Sequence, residues 1–235
     1  MKPEVTILQS GNIYFFYRPK VANEEETQRF FFVLRPINQG QYKLLIVGRK
    51  HLPPKNEGSY FLMVEGNKKG EKELLQSLTE KHYHTKTRGE RVLPTARCLG
   101  EGKYLLVVHN NHTHFIYQLT NPTQIKKEQE DFNLQLTDDY LISIKNPQMP
   151  ASLHREINFP SHLQEKFANR HFISLTNSEF LDYAGVELLL IPKNKPNLIN
   201  YEKDLQICLQ NINSDNLVKE LAKINPPETL ASLKK

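Results

Sequence analysis

The chain has no tryptophan, only three methionines and only two cysteines in 235 residues. Cys98 and Cys208 stand alone without CxxC spacing, which argues against a disulfide framework and against a thiolate zinc site. No apolar run approaches the roughly 18 to 20 residues that cross a bilayer as a helix. The opening Met1-Lys2-Pro3-Glu4 lacks the apolar stretch of a secretion signal, so the expected location is intracellular, in the cytoplasm. The Asn111-His112-Thr113 sequon would matter only in a secreted chain. Missing too are a phosphate-cradling GxxxxGK[ST], a dinucleotide GxGxxG, a GxSxG nucleophile elbow and an HExxH helix, which leaves neither a dehydrogenase nor a serine hydrolase favoured.

What the chain does hold is aromatic residue, twelve Phe and ten Tyr, enough with its aliphatics for a folded core rather than a disordered chain. Its formal charge of +5 is unevenly placed. Residues 1–120 carry 18 Lys and Arg against 11 Asp and Glu, a net of +7, and residues 121–235 carry 13 against 15, a net of −2. A positive field confined to the first half points toward an anionic partner, nucleic acid among them.

The clearest structural signal lies in Lys103 to Leu119, where two runs of aromatic, leucine and β-branched residues flank Asn110-Asn111. Asn tolerates the positive φ that a two-residue hairpin turn demands. The register then follows: His109 faces His112, Val107 faces His114, Leu105 faces Ile116 and Leu106 faces Phe115. One face carries Leu105, Val107, His109, His112, His114 and Ile116, and the other carries Leu106, Val108, Phe115 and Tyr117. Both faces are apolar away from the tip, so the hairpin is expected to be covered on both sides.

Further strands are expected at Asn12 to Arg18, Arg29 to Arg35, Gln41 to Val47, Val92 to Leu99, Tyr140 to Lys145, His171 to Leu175 and Val186 to Ile191. The first three are joined too tightly for parallel crossovers and read as an antiparallel meander. Tyr60 to Val64 fits a strand or the start of a helix. Lys81 to Arg91 reads as a basic edge strand. Helical periodicity occupies Gly70 to Lys81, a short piece after Pro160, Tyr201 to Gln210 and Asp215 to Ile224, while Thr123 to Asp131 is a helix or a charged linker. The fold class expected is therefore α+β: an antiparallel, barrel-like or strongly curved sheet over 1–120, a smaller α+β part over 121–192 that either shares that core or forms its own, and a helical C-terminal extension over 193–235.

Two constellations carry chemistry. His109, His112 and His114 share one face at the hairpin tip, and three neutral imidazoles plus water are a ligand set for zinc. The carboxylate or other partner that would orient them must come from elsewhere, with His82 or Glu90 as candidates. The second is a basic surface: Arg18, Arg35, Arg49 and Lys50 beside strand aromatics, and Arg88, Arg91 and Arg97 around Gly89, where guanidinium forks suit phosphate or carboxylate. The function expected is a binding module for nucleic acid, another anionic partner or a protein. The alternative is a metal-dependent hydrolase with its histidine site at residues 109–114.

Overall fold

Period-two alternation builds most of this molecule. The structure, a computed structural model, describes residues 5–21, 26–37, 39–87, 89–149, 157–193 and 207–213. Strands β1 (Val5–Pro19), β2 (Thr27–Pro36), β3 (Gln41–Val47) and β4 (Tyr60–Lys69) form the expected antiparallel meander. In β4 the buried Tyr60, Leu62 and Val64 alternate with the more open Phe61, Met63 and Glu65, which resolves that segment as a strand. Helix α1 (Glu71–Leu78) follows, then the short β5 (Lys81–Thr85) and β6 (Gly89–Leu93), then the long pair β7 (Arg97–His109) and β8 (His112–Asn121). Helix α2 (Lys127–Asp131), β9 (Thr137–Lys145), α3 (Ser161–Gln164), β10 (Phe172–Ser174) and β11 (Glu187–Pro192) complete the order.

Eight of these strands close on themselves. The circuit runs β1-β2-β3-β4-β11-β9-β8-β7 and back to β1, every pairing antiparallel. Closure removes the edges that an open sheet would expose. Two of the staves, β9 and β11, come from residues beyond 121, and a single buried cluster runs from Ile13 to Leu190. The interior is aromatic: Phe15 packs on Tyr117 at 5.0 Å and Phe32 on Phe115 at 5.4 Å between ring centroids. Curvature this strong brings backbones close, and a Cβ on Gly11 or Gly102 would lie within about 2 Å of the carbonyl oxygen of Arg35 or Gln118.

Two layers lie outside the barrel. Leu74, Leu75 and Leu78 of α1 cover Tyr14, Phe16, Phe31, Val33, Tyr42 and Leu44 on the outer face of β1, β2 and β3. Leu209 and Ile212 cover Leu105, Val107 and Ile116, so the β7–β8 hairpin is indeed packed on both faces. The helical C-terminal extension is not supported: of the expected 201–210 helix only residues 207–210 are described, as one helical turn, and residues 201–206 and the 215–224 helix lie outside the described residues. The α+β label also overweighted helix, because α1, α2 and α3 have eight, five and four residues on a mostly stranded chain.

Each end of the barrel is stoppered. Leu52, Phe132 and Leu134 fill the end where β1 finishes, and Phe159, Phe167, Phe180 and Leu181 fill the opposite one. At the latter, the inward-pointing Lys43 is fully buried and pairs with Asp182, which also accepts from Asn67.

Candidate functional site

The hairpin tip has the geometry its sequence implies. Asn110 and Asn111 take φ of 49° and 64°, and His109 pairs with His112 and Val107 with His114. The three imidazoles nevertheless have different surroundings. His112 is exposed at the tip, His109 is half-buried and His114 is buried. The Nδ1 of His114 donates to the Asp139 carboxylate at 3.0 and 3.2 Å, and Lys193 Nζ donates to the same carboxylate at 3.0 Å. The ring of His109 lies 6.0 Å from that of His114. Burial first, and then the charges of His114, Lys193 and His112, pull the His109 pKa below the ordinary histidine value.

The orienting carboxylate is thus Asp139 of the neighbouring strand β9. His82 and Glu90, the partners expected from the sequence, sit on a separate hairpin and face each other there, 3.5 Å apart. Among the described residues, no group of three or more His, Cys, Asp and Glu side chains is placed to hold a metal ion. Cys98 is a buried core thiol whose pKa burial pushes up to about 12, so it stays protonated and unreactive at neutral pH.

The basic residues named from the sequence scatter. Arg18 is buried, and its guanidinium donates to the carbonyls of Ser77 at 2.5 Å, Leu78 at 3.3 Å, Thr79 at 3.4 Å and Pro94. It is a clamp that ties the end of α1 to the start of the segment leading into β7, and it is not available to an outside anion. Burial, chiefly, lowers its pKa to about 10, which leaves it charged at neutral pH. Arg35 lies over the Tyr42 ring at 5.4 Å and Arg49 over Tyr60 at 5.8 Å. Arg91 is exposed on β6, and Arg88 lies outside the described residues. Of the described members of this set, Lys50 and Arg97 line one cleft together.

The cleft, of about 560 Å³, lies at the rim where β1 ends. Its floor is aromatic, with Tyr17 and Phe132 4.9 Å apart between ring centroids. Lys50, His51 and Arg97 line it from one group of elements, and Glu128 and Asp131 line it from α2. The loop carrying Lys50 and His51 is fixed to the barrel end by Leu52, whose N–H donates to Phe132 O at 3.0 Å, and by Asn133 Nδ2, which donates to Leu52 O at 3.3 Å.

Beside the cleft stands the two-stranded ribbon. The basic segment expected at a sheet edge instead forms β5 and β6, which among the described residues pair only with each other. Every residue of Lys81 to His84 is exposed, and Tyr83 keeps 46% of its surface. Alternation sorts the ribbon into two faces. One carries Lys81, Tyr83 and Arg91, with Tyr83 and Arg91 directly opposite; the other carries His82, His84, Glu90 and Val92. The Arg18 clamp holds the ribbon's base, and Arg97, which pairs with Tyr17, begins β7 just beyond it.

Sequence reasoning missed Asp139, Lys193, Tyr83, His51, Glu128 and Asp131. The Asp138-Asp139 pair at the head of a strand was a usable signal, since neighbours on a strand point to opposite faces. Asp138 turns inward to accept from Tyr140 Oη at 2.9 Å, and burial raises its pKa, whereas Asp139 turns outward to His114. Compared with known protein families, curated proteins and solved structures, the chain matches none of them.

Proposed function

We propose that this protein is a non-enzymatic binding module for nucleic acid, engaging its partner with the β5–β6 ribbon. One observation carries the reading: a ribbon exposed on both faces contributes little to the core, yet it holds an aromatic ring between two cations on one side. Lys81 and Arg91 can neutralise phosphates while Tyr83 stacks on an unpaired base of a single strand. The opposite, His and Glu face discriminates against docking the other way round. A cytoplasmic location belongs to the same proposal. The metal-dependent hydrolase reading gains an oriented imidazole in His114 but no converging ligand set among the described residues.

Binding of a fluorescently labelled oligonucleotide, followed by anisotropy, tests the reading. Affinity is expected to fall steeply between about 50 and 200 mM salt through counterion release. Lys81→Glu with Arg91→Glu should abolish binding at the higher salt and flatten the salt slope by about two units, and Tyr83→Ala should weaken it by roughly tenfold at all salts. No binding to single-stranded or duplex oligonucleotides at low salt sinks the proposal and leaves a protein partner in its place.

A further inference from the structure

The cleft beside the ribbon contains charges of both signs, which is wrong for a continuous phosphate track and right for a single nucleotide. We infer that it holds the unpaired terminal ribonucleotide of an RNA strand, an inference that rests on the nucleic-acid reading above. A base fits the aromatic floor formed by Tyr17 and Phe132. The phosphate on its 5′ side meets Lys50 and Arg97, the two cations that reach the cleft from the loop after β3 and from the start of β7. Glu128 and Asp131, three apart on α2 and therefore on one helical face, accept hydrogen bonds from the ribose hydroxyls.

The carboxylates also fix which nucleotide is bound. A strand continuing past the sugar would carry its next phosphate into Glu128 and Asp131, where like charge repels it. The nucleotide in the cleft is therefore the last one, with both its 2′ and 3′ hydroxyls free. A deoxyribose end offers one hydroxyl fewer, and a 3′-phosphorylated end brings the repelled charge. The volume of about 560 Å³ lies within the range of small-molecule sites and leaves room for a nucleotide with bound water. The second ribbon strand ends at Leu93 and the chain reaches Arg97 of the cleft four residues later, so an RNA strand lying along Lys81, Tyr83 and Arg91 can end there.

The test uses the full chain and four probes of one sequence: single-stranded RNA with a free 3′ end, the same RNA 3′-phosphorylated, the corresponding DNA, and a blunt RNA duplex. The free-ended RNA is expected to bind about tenfold tighter than each of the others, the worth of one or two charge-assisted hydrogen bonds. Glu128→Gln with Asp131→Asn, two exposed positions, should erase that preference while leaving the salt dependence intact. Tyr17→Phe should keep the preference and Tyr17→Ala reduce it. Equal binding of all four probes, or a preference that survives the α2 double substitution, overturns this inference and leaves the ribbon reading standing. No binding of any probe overturns both.

Discussion

The β7–β8 and β5–β6 hairpins each carry imidazoles, and they differ in almost everything else. The first has thirteen- and ten-residue strands embedded in a closed barrel, with a packed layer on each face. The second has five-residue strands that, among the described residues, pair with no strand but each other. An isolated two-stranded hairpin is marginal in water, and this one is held at its base by a buried arginine. The contrast separates two uses of the same motif. Where the side chains are buried they report on stability, and where they are bare they are free to report on a partner. The histidines follow suit: His114 is locked to a carboxylate inside the molecule, while His82 meets Glu80 and Glu90 in solvent.

The largest effect expected from breaking this contrast is in the embedded hairpin. Phe115→Ala or Leu106→Ala removes a fully buried side chain from the barrel interior and should cost about 2 to 5 kcal/mol in chemical denaturation. A loss below about 1 kcal/mol at both positions would mean that the interior repacks freely. Next is the clamp. Arg18→Met keeps much of the apolar stem but removes the guanidinium donors to the carbonyls of Ser77, Thr79 and Pro94, while Leu78 O keeps the Ala96 N–H, and should cost about 2 to 3 kcal/mol. Amide hydrogen exchange should show residues 81–93 losing protection before the barrel does. Equal loss in both regions would show that the ribbon is not separately anchored.

The smallest effect sharpens the comparison between the two sets of histidines. His109 is held below the ordinary value near 6.5, so the unfolded chain takes up that proton more readily, and stability drains as pH falls below about 6.5. His82 is held above it, mainly by its hydrogen bond to Glu80, so its contribution is present below about 6.5 and lost as pH rises through its folded value. Denaturation midpoints at pH about 7.5 and 5.5 should therefore diverge less in His109→Gln than in the parent chain, and His82→Gln should shift the difference the other way. The same response from both variants would place the two rings in like surroundings.

How far each hairpin could be read in advance follows from the same physics. Alternation between Leu105 and Ile116, with two asparagines between, specified a register that the structure repeats pair for pair. The signal was strong because both faces are buried and a slip by one residue would be costly. The ribbon gave no such signal: exposed on both sides, it has no apolar face to betray its period, and its basic composition reads equally as a loop. The cleft was illegible for a different reason. Tyr17, Lys50, Arg97 and Glu128 come from four separate elements that only barrel closure brings together. Arg18 looked like a surface cation because its partners are backbone carbonyls some sixty residues and more away, and carbonyls leave no trace in a sequence pattern.

Closure has a cost that is felt before the protein is finished. A ribosome making this chain delivers β1 to β8 first, as a six-strand sheet in the order β4-β3-β2-β1-β7-β8 whose two outermost strands have no lateral partner. The staves that seal it, β9 and β11, emerge only as synthesis reaches Pro192, which at ordinary elongation rates takes roughly ten seconds more. During that interval the nascent chain presents β4, with Tyr60, Leu62 and Val64, and β8, with Phe115 and Tyr117, as open templates for strand addition by any neighbour on the same message. Messages truncated upstream of β11 should therefore yield insoluble product, and slow codons between β8 and β11 should lower the soluble yield of the complete chain without changing a residue of it.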